Sequence, residues 1–287
     1  MSGSVAISTS LSPSPAVPPL ADVAEVFAEL AVAAGSKVMA IWADKPRAKF
    51  KADHSPVCAA DEAAEAIILR GLAQRLPDIP VVSEEAVSRG EIPATDGAFI
   101  LVDPLDGTRE FLAASNEFTV NLALIVDGVP VAGVVYAPAL GRLWTGADDV
   151  ATACDVPAGS ALPAATARKT VRARKAAASL MALVSRSHPD ASSEEFLSRL
   201  GVKDRKCAGS SLKFCLLAEG EGDVYPRCSP TMQWDVAAGD AVLRAAGGLV
   251  VDASGEPFTY GPGAHGFKNG PFVAWADAAA GRAATLR

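Results

Sequence analysis

The chain has 287 residues, a formal net charge of −7 and a pI near 5.1, with half its residues apolar and 6% aromatic. Such a length fits one large domain or two modest ones, with a core built mainly from Ala, Val and Leu. The acidic balance argues against a binder of duplex nucleic acid, which needs a basic face. The odd set Cys58, Cys154, Cys207, Cys215 and Cys228, with no CxxC pair, argues against a zinc site or a disulfide framework and reads as reduced thiols in a cytosolic protein.

Residues 1–19, rich in Ser, Pro and Ala, read as a disordered tail without the basic start of a secretory signal. No apolar run approaches the roughly 20 residues that span a bilayer. Over 20–42, Val23, Val26, Phe27, Leu30, Ala34, Val38 and Ile41 share one helical face. A basic loop follows at 45–51, and Asp61 and Glu62 open a second helix. Residues 79–83 form a short strand ending at Glu84-Glu85, and 98–102 form a buried strand. Segments 118–126 and 129–136 pair through the Asp127-Gly128 turn, and 142–145 adds a third strand. These elements make an N-terminal α+β half over 20–150. The Ala-, Asp-, Pro- and Thr-rich stretch 147–170 reads as the boundary to a C-terminal α/β half over 165–287.

That second half alternates strand and helix. Strand 180–185 precedes helix 192–200, which carries a Ser-Ser-Glu-Glu cap pattern. Gly209-Ser210-Ser211 leads into helix 212–219, and strand 222–225 follows. Gln233-Trp234-Asp235 opens a helix that runs to Ala246 and is closed by Gly247-Gly248. Strands 249–252 and 272–275 complete the chain.

The densest chemistry lies in Asp103-Pro104-Leu105-Asp106-Gly107-Thr108. Pro104 and Gly107 are expected to stop the strand and force a tight turn, leaving two carboxylates at a strand end. Parallel open sheets tend to place ligand sites there. Carboxylates that close repel each other unless a cation lies between them. Oxygen donors suit Mg2+, which recruits phosphate oxygens as further ligands. Glu84, Asp103, Asp106 and Asp235 would together satisfy a two-metal site, with Asp103 bridging and the Leu105 carbonyl filling a position that side chains leave open. Taken alone, each acid reads as a cap, a turn or a solvated residue before it reads as a ligand.

Other candidates carry two readings each. Asp61 either caps its helix or, with the Thr108 hydroxyl, orients and deprotonates a water. Gly209, Ser210 and Ser211 are either a plain cap or an anion cradle, the latter supported by Lys213 one turn on. Ser185, Arg186 and His188 are a polar loop or a seat for a second phosphate. Arg227 is a surface residue or a phosphate clamp. His54 and His265 read as surface loop residues, because a hard-metal oxygen site needs no imidazole.

Taken together these runs resemble the inositol monophosphatase superfamily. Its three signature regions appear in order as Glu84-Glu85, the DPLDGT run and Trp234-Asp235-Val236-Ala237-Ala238-Gly239. The likeness extends from about residue 21 to 276. A narrower set is similar to the CysQ branch, the 3'(2'),5'-bisphosphate nucleotidases: Lys51-Ala52-Asp53-His54-Ser55-Pro56-Val57, Arg109-Glu110-Phe111, Asn116-Glu117-Phe118-Thr119, Ser185-Arg186-Ser187-His188, Gly209-Ser210-Ser211-Leu212-Lys213-Phe214 and Tyr225-Pro226-Arg227. Cys58, where the family usually has Thr, and Arg109, where this branch usually has Lys, depart from the pattern.

The resemblance implies a mixed α/β (α+β) fold, a five-layered αβαβα sandwich of the inositol monophosphatase and sugar phosphatase type. It implies Mg2+-dependent removal of the 3'-phosphate of 3'-phosphoadenosine 5'-phosphate, related activity on 3'-phosphoadenosine 5'-phosphosulfate, and inhibition by Li+. Glu84, Asp103, Leu105, Asp106 and Asp235 become ligands to two or three ions. Asp106, Gly107, Thr108, Arg109 and Asp235 face the substrate, as do the phosphate-binding candidates above. The expected partner is a small phosphorylated nucleotide, with no nucleic acid and no integral membrane segment, on a monomer or homodimer. The expected place is the cytoplasm, with some relatives on the inner face of the bacterial membrane. An inositol or sugar phosphatase, and a non-catalytic sensor of bisphosphorylated nucleotides, are the competing readings.

Overall fold

The computed structural model describes residues 16–44, 49–50, 56–57 and 59–283. The tail before residue 16, most of the basic loop, His54 and Cys58 lie outside them. Helix α1 (Leu20–Ala43) is followed by a small antiparallel pair, β1 (Lys49–Phe50) and β2 (Pro56–Val57), and by helix α2 (Ala59–Arg75). A seven-stranded sheet then builds in chain order. It comprises β3 (Val81–Ser83), β4 (Ala98–Asp106), β5 (Thr119–Val126), β6 (Val129–Ala137), β7 (Arg142–Ala147), β8 (Val150–Asp155) and β9 (Lys169–Val171), with short helices α3 (Glu84–Ser88) and α4 (Thr108–Leu112) between the early strands. The second part adds β10 (Met181–Ser185), α5 (Ala191–Arg199), β11 (Asp204–Ala208), α6 (Leu212–Ala218), β12 (Val224–Arg227), β13 (Thr231–Met232), α7 (Ala237–Ala245), β14 (Leu249–Asp252), β15 (Lys268–Asn269), β16 (Phe272–Trp275) and α8 (Ala278–Ala283). Its five-stranded sheet has the order β11-β10-β12-β16-β14, and β13 pairs with β15.

Three apolar cores separate five layers. The first joins α1 and α2 to one face of the large sheet through Phe27, Ile68, Leu72, Ile100 and Tyr136. The second lies between the two sheets around α6 and α7. The third fixes α5 and α8 to the outer face of the small sheet through Phe196, Leu197 and Trp275. Phe27, Ile68 and Leu72 are wholly buried, and each contributes roughly 1.5–3 kcal/mol over an exposed side chain. The αβαβα order expected from the resemblance is therefore the order found.

Four expectations need correction. Helix α1, 24 residues long with an 18-residue stretch of mean hydropathy 1.5, is long and apolar enough to cross a bilayer by length and composition. That stretch holds no more than two of the helix's charged residues Asp22, Glu25, Glu29 and Lys37. In this fold its Val23, Phe27, Ala31 and Val38 are buried in the first core. Strand β4 does not stop at residue 102 but continues through a bulge to Asp106, and only β3 runs parallel to it. The stretch 147–170 carries β8 and begins β9, both in the large sheet, where Val150-Ala151-Thr152-Ala153 lacks the bulky alternation that announces a strand. Helix α5 starts one residue early, capped by Asp190, whose carboxylate accepts the Ser192 N–H at 3.1 Å.

A dent in the large sheet seats α7. Gly133 and Gly146 are direct partners on β6 and β7. A Cβ on Gly133 would stand 2.6 Å from Ala241 Cβ, and one on Gly146 would stand 2.7 Å from Val242 Cα. Gly133→Val is therefore expected to lower the Tm by about 4 °C or more through overpacking. A thermal melt checks this, and an unchanged Tm would mean that α7 is not held by the dent.

Candidate active site

A cavity of about 330 Å3 opens at the end of β4, where loops of the second sheet meet α4. One wall is acidic, carrying Glu84, Asp103, Asp106 and Asp235 beside Leu105. The β4 bulge builds most of it. Asp103 pairs with Asn121 and Asp106 with Thr119 on either side of the register shift. Pro104 sits within the bulge, where the missing N–H costs no ladder bond. The Leu105 N–H donates to Asp103 Oδ1 at 3.0 Å. The Leu105 side chain is anchored in the first core.

Glu84 arrives from the neighbouring strand, because Ser83 pairs with Val102 in parallel register. Buried Glu65 fixes that corner. Its carboxylate accepts Ser83 Oγ at 2.6 Å, Ala86 N at 3.0 Å and Arg89 Nη2 at 2.9 Å. Asp235 comes from the second part of the chain, in the 3-10 turn just before α7, with Oδ2 accepting Met232 N at 2.8 Å.

These carboxylates repel one another in a poorly hydrated place. Burial first, then Glu84, Asp106 and Asp235, push Asp103 well above the usual carboxylate range. Burial raises Asp106 to about 6 against the opposing pull of Lys213. Asp235 is raised by burial and then by Asp106 and Glu84. A mutually repelling set of oxygen donors without His or Cys, Asp103 buried and the other three partly so, suits a hard divalent cation, which would remove the repulsion. Among the described residues no three His, Cys, Asp or Glu close tightly enough to cage an ion. An ion here would therefore complete its shell from water and substrate, as Mg2+ commonly does.

A basic wall of the same cavity carries Arg109, His188, Lys213 and Arg227, with Glu110 among them. Lys213 is buried, donates to Ser210 O at 2.6 Å and lies 5.0 Å from the Tyr225 ring centre. Burial lowers its pKa to about 8. His188 Nε2 stands 3.3 Å from Arg109 Nη1. A guanidinium only donates, so that contact needs Nε2 as acceptor. Desolvation, then Arg227 and Arg109, hold the His188 pKa below its ordinary value. The buried Nε of Arg227 has no hydrogen-bond partner among the described residues, an unmet donor that an anion would satisfy.

Gly107, Thr108, Ser185 and Ser210 also line the cavity. Thr108 Oγ1 lies 3.2 Å from Asp61 Oδ1 and 3.3 Å from the Leu105 carbonyl, so buried Asp61 reaches the site through that hydroxyl. Three expected substrate contacts are placed otherwise. Arg186 turns away and pairs with Glu117. The Gly209 and Ser211 amides, expected to cradle an anion, are already given to Glu117 and Asp106 carboxylates at 2.8 and 2.7 Å.

The profile of the inositol monophosphatase family matches residues 20–284. The chain belongs to the inositol monophosphatase family. Among characterised relatives, the 3'(2'),5'-bisphosphate nucleotidase CysQ of Escherichia coli (strain K12) is 44% identical over 236 residues, 82% of this chain and 92% of that protein. The Salmonella typhimurium CysQ is 43% identical over 240 residues, 83% and 94% of the two chains. Among solved structures, CysQ from Bacteroides thetaiotaomicron, a bacterial member of the family, superposes with a TM-score of 0.74 at 35% identity over 88% of this chain and 97% of its own. The IMPase TM1415 of Thermotoga maritima, 21% identical with a TM-score of 0.70 over 90% and 93% of the two chains, shares the fold.

All three signature regions of this inositol monophosphatase-family chain reach the one cavity through Glu84, the DPLDGT run and Asp235. Glu110, Tyr225 and Thr231 line it too, and sequence reasoning did not single them out for this site. Glu110 and Tyr225 enter the sequence reading only within the marker runs Arg109-Glu110-Phe111 and Tyr225-Pro226-Arg227.

Proposed function

We propose that the protein is a Mg2+-dependent phosphomonoester hydrolase that removes the 3'-phosphate of 3'-phosphoadenosine 5'-phosphate, giving AMP and phosphate, with 3'-phosphoadenosine 5'-phosphosulfate as a further substrate. One observation carries this reading: four acidic side chains and a basic set with an unmet Arg227 donor line a single small cavity. A substrate with one phosphate needs only the acidic, metal-binding side. A bisphosphorylated nucleotide uses both. The CysQ relatives named as 3'(2'),5'-bisphosphate nucleotidases support it.

Glu84, Asp103, the Leu105 carbonyl, Asp106 and Asp235 would hold two or three Mg2+ ions. When bound, Mg2+ supplies charge neutralisation at the reacting phosphate and a water acidic enough to attack at neutral pH. Asp106, Gly107 and Thr108 lie against the scissile phosphate. Thr108, in contact with Asp61, orients the attacking water, and Asp61 is the group that accepts its proton. Lys213, His188, Arg109 and Arg227 take the second phosphate. The protein works in the cytoplasm on a small nucleotide, as a monomer or homodimer without an integral membrane segment.

Phosphate release from a substrate panel tests the reading. With Mg2+, kcat/KM for 3'-phosphoadenosine 5'-phosphate is expected to exceed that for inositol 1-phosphate by about 100-fold, the scale of one lost charge-assisted contact set. EDTA should abolish turnover and Li+ should reduce it. Equal turnover of inositol 1-phosphate would favour the inositol phosphatase reading, and tight nucleotide binding without turnover the sensor.

A further inference from the structure

The basic wall is held in place from the other half of the molecule. Consecutive residues of the 185–188 loop each grip a different side chain after β4. Arg186 meets Glu117, with Nε at 2.7 Å from Oε2 and Nη2 at 2.8 Å from Oε1. The Ser187 hydroxyl donates to Glu110, and His188 meets Arg109. The 209–211 loop is held by the same glutamate. Gly209 N donates to Glu117 Oε2 at 2.8 Å, and Ser210 Oγ donates to Glu117 O at 2.8 Å and to Asp106 O at 3.0 Å. Ser210 is kept at a φ of 47°, a left-handed conformation that a non-glycine residue holds only when its surroundings impose it.

Glu117 does not line the cavity, yet the loops that supply His188 and Ser210 to it, the second leading into α6 and Lys213, converge on that one residue. Its carboxylate spends its oxygens on a bidentate guanidinium and a backbone amide, the strong arrangement for such a group. Arg186 is committed to Glu117 and to the Cys207 carbonyl, 3.1 Å away. We propose that Glu117 is the positioning residue of the second-phosphate side, seating the 185–188 and 209–211 loops together, and that Arg186 serves substrate binding only through Glu117. The kinetic part of this rests on the bisphosphate reading above; the seating part does not.

The test compares Glu117→Gln, Arg186→Gln, Arg186→Lys and the Glu117→Gln/Arg186→Gln double variant. On 3'-phosphoadenosine 5'-phosphate each single Gln variant is expected to raise KM about ten-fold with kcat within about two-fold. The double variant should be no worse than either single one, because both remove one shared contact. Arg186→Lys should behave like Arg186→Gln, since a lysine cannot make the bidentate pair, whereas at a site that needs only a point charge on phosphate lysine would keep most of the binding. Multiplying effects in the double variant, or a near-normal Arg186→Lys with a silent Glu117→Gln, would overturn the proposal. Hydrogen exchange on the substrate-free protein reads the seat independently of any activity. The Gly209 amide should exchange about ten-fold faster or more in Glu117→Gln while β4 and β5 amides stay protected. Unchanged Gly209 exchange would overturn the proposal even if the unaltered enzyme prefers another substrate. An unaltered protein that releases no phosphate from the bisphosphate counts against the functional reading alone.

Discussion

Asp103→Asn is expected to lower Mg2+-dependent kcat/KM by about 10³-fold or more, some 4 kcal/mol of transition-state stabilisation. Asp103 stands at the centre of the acidic wall, and the charges of Glu84, Asp106 and Asp235 all act on its carboxylate. Asparagine keeps the shape and an Oδ1 acceptor for the Leu105 N–H, so the bulge survives. What it removes is the charge that would bridge two cations. The variant should therefore remain folded, and in the presence of EDTA it should melt no lower than the unaltered protein. Phosphate release and a thermal melt on the same sample check both halves. Near-full activity in a folded Asp103→Asn protein would sink the assignment of Asp103 as the shared ligand.

The second large effect is a dependence of stability on pH that metal reverses. Asp103, Asp106 and Asp235 have folded pKa values above those of an unfolded chain, Asp106 at about 6. Between the unfolded value near 4 and the folded values, the folded state holds the extra protons. The metal-free protein must lose stability as pH rises through that window. For Asp106 alone the shift corresponds to roughly 3 kcal/mol, an order-of-magnitude figure. Glu117, Asp190 and Asp223 are lowered instead, and they act in the opposite sense at lower pH. The clean measurement is therefore a difference. With EDTA, the stability lost between about pH 5 and about pH 7.5 should be smaller in Asp103→Asn than in the unaltered chain. Mg2+ at about a hundred times its Kd should return about 2.7 kcal/mol at the higher pH. Equal slopes in the two proteins, or no response to Mg2+, would count against a cation as the partner of these acids.

Much of the site was legible because its chemistry is local. Asp103 and Asp106 lie three residues apart at one strand end, and the Gly107-Thr108 run beside them marks that end without any structure. Asp235 is different: nothing in its own neighbourhood separates a ligand from a helix cap, and only the resemblance tied it to residues far away in the chain. The strand stop expected at Pro104 was misplaced because a proline can end a strand or sit in a bulge. Which of these it does depends on the partner strand, here Asn121 and Thr119. Strands β8, β9 and β11 are not legible in the sequence because short strands of small or charged residues, such as Asp204-Arg205-Lys206-Cys207-Ala208, carry no apolar alternation. The assignment of Arg186 to substrate failed for a geometric reason. Spacing places a cation on a loop but does not say whether the side chain turns toward the cavity or toward Glu117.

The glycine pair under α7 has a consequence for ion choice. Asp235 rides directly ahead of that helix, whereas Asp103, Asp106 and Glu84 belong to the large sheet and its edge. The depth to which the helix sinks into Gly133 and Gly146 therefore sets the gap between one donor and the other three. A methyl group at either position acts as a shim, lifting one jaw of a vice without touching its gripping surfaces. Residues that never line the cavity thus bear on the spacing that a divalent cation would meet, while every side chain of the acidic wall stays as it is.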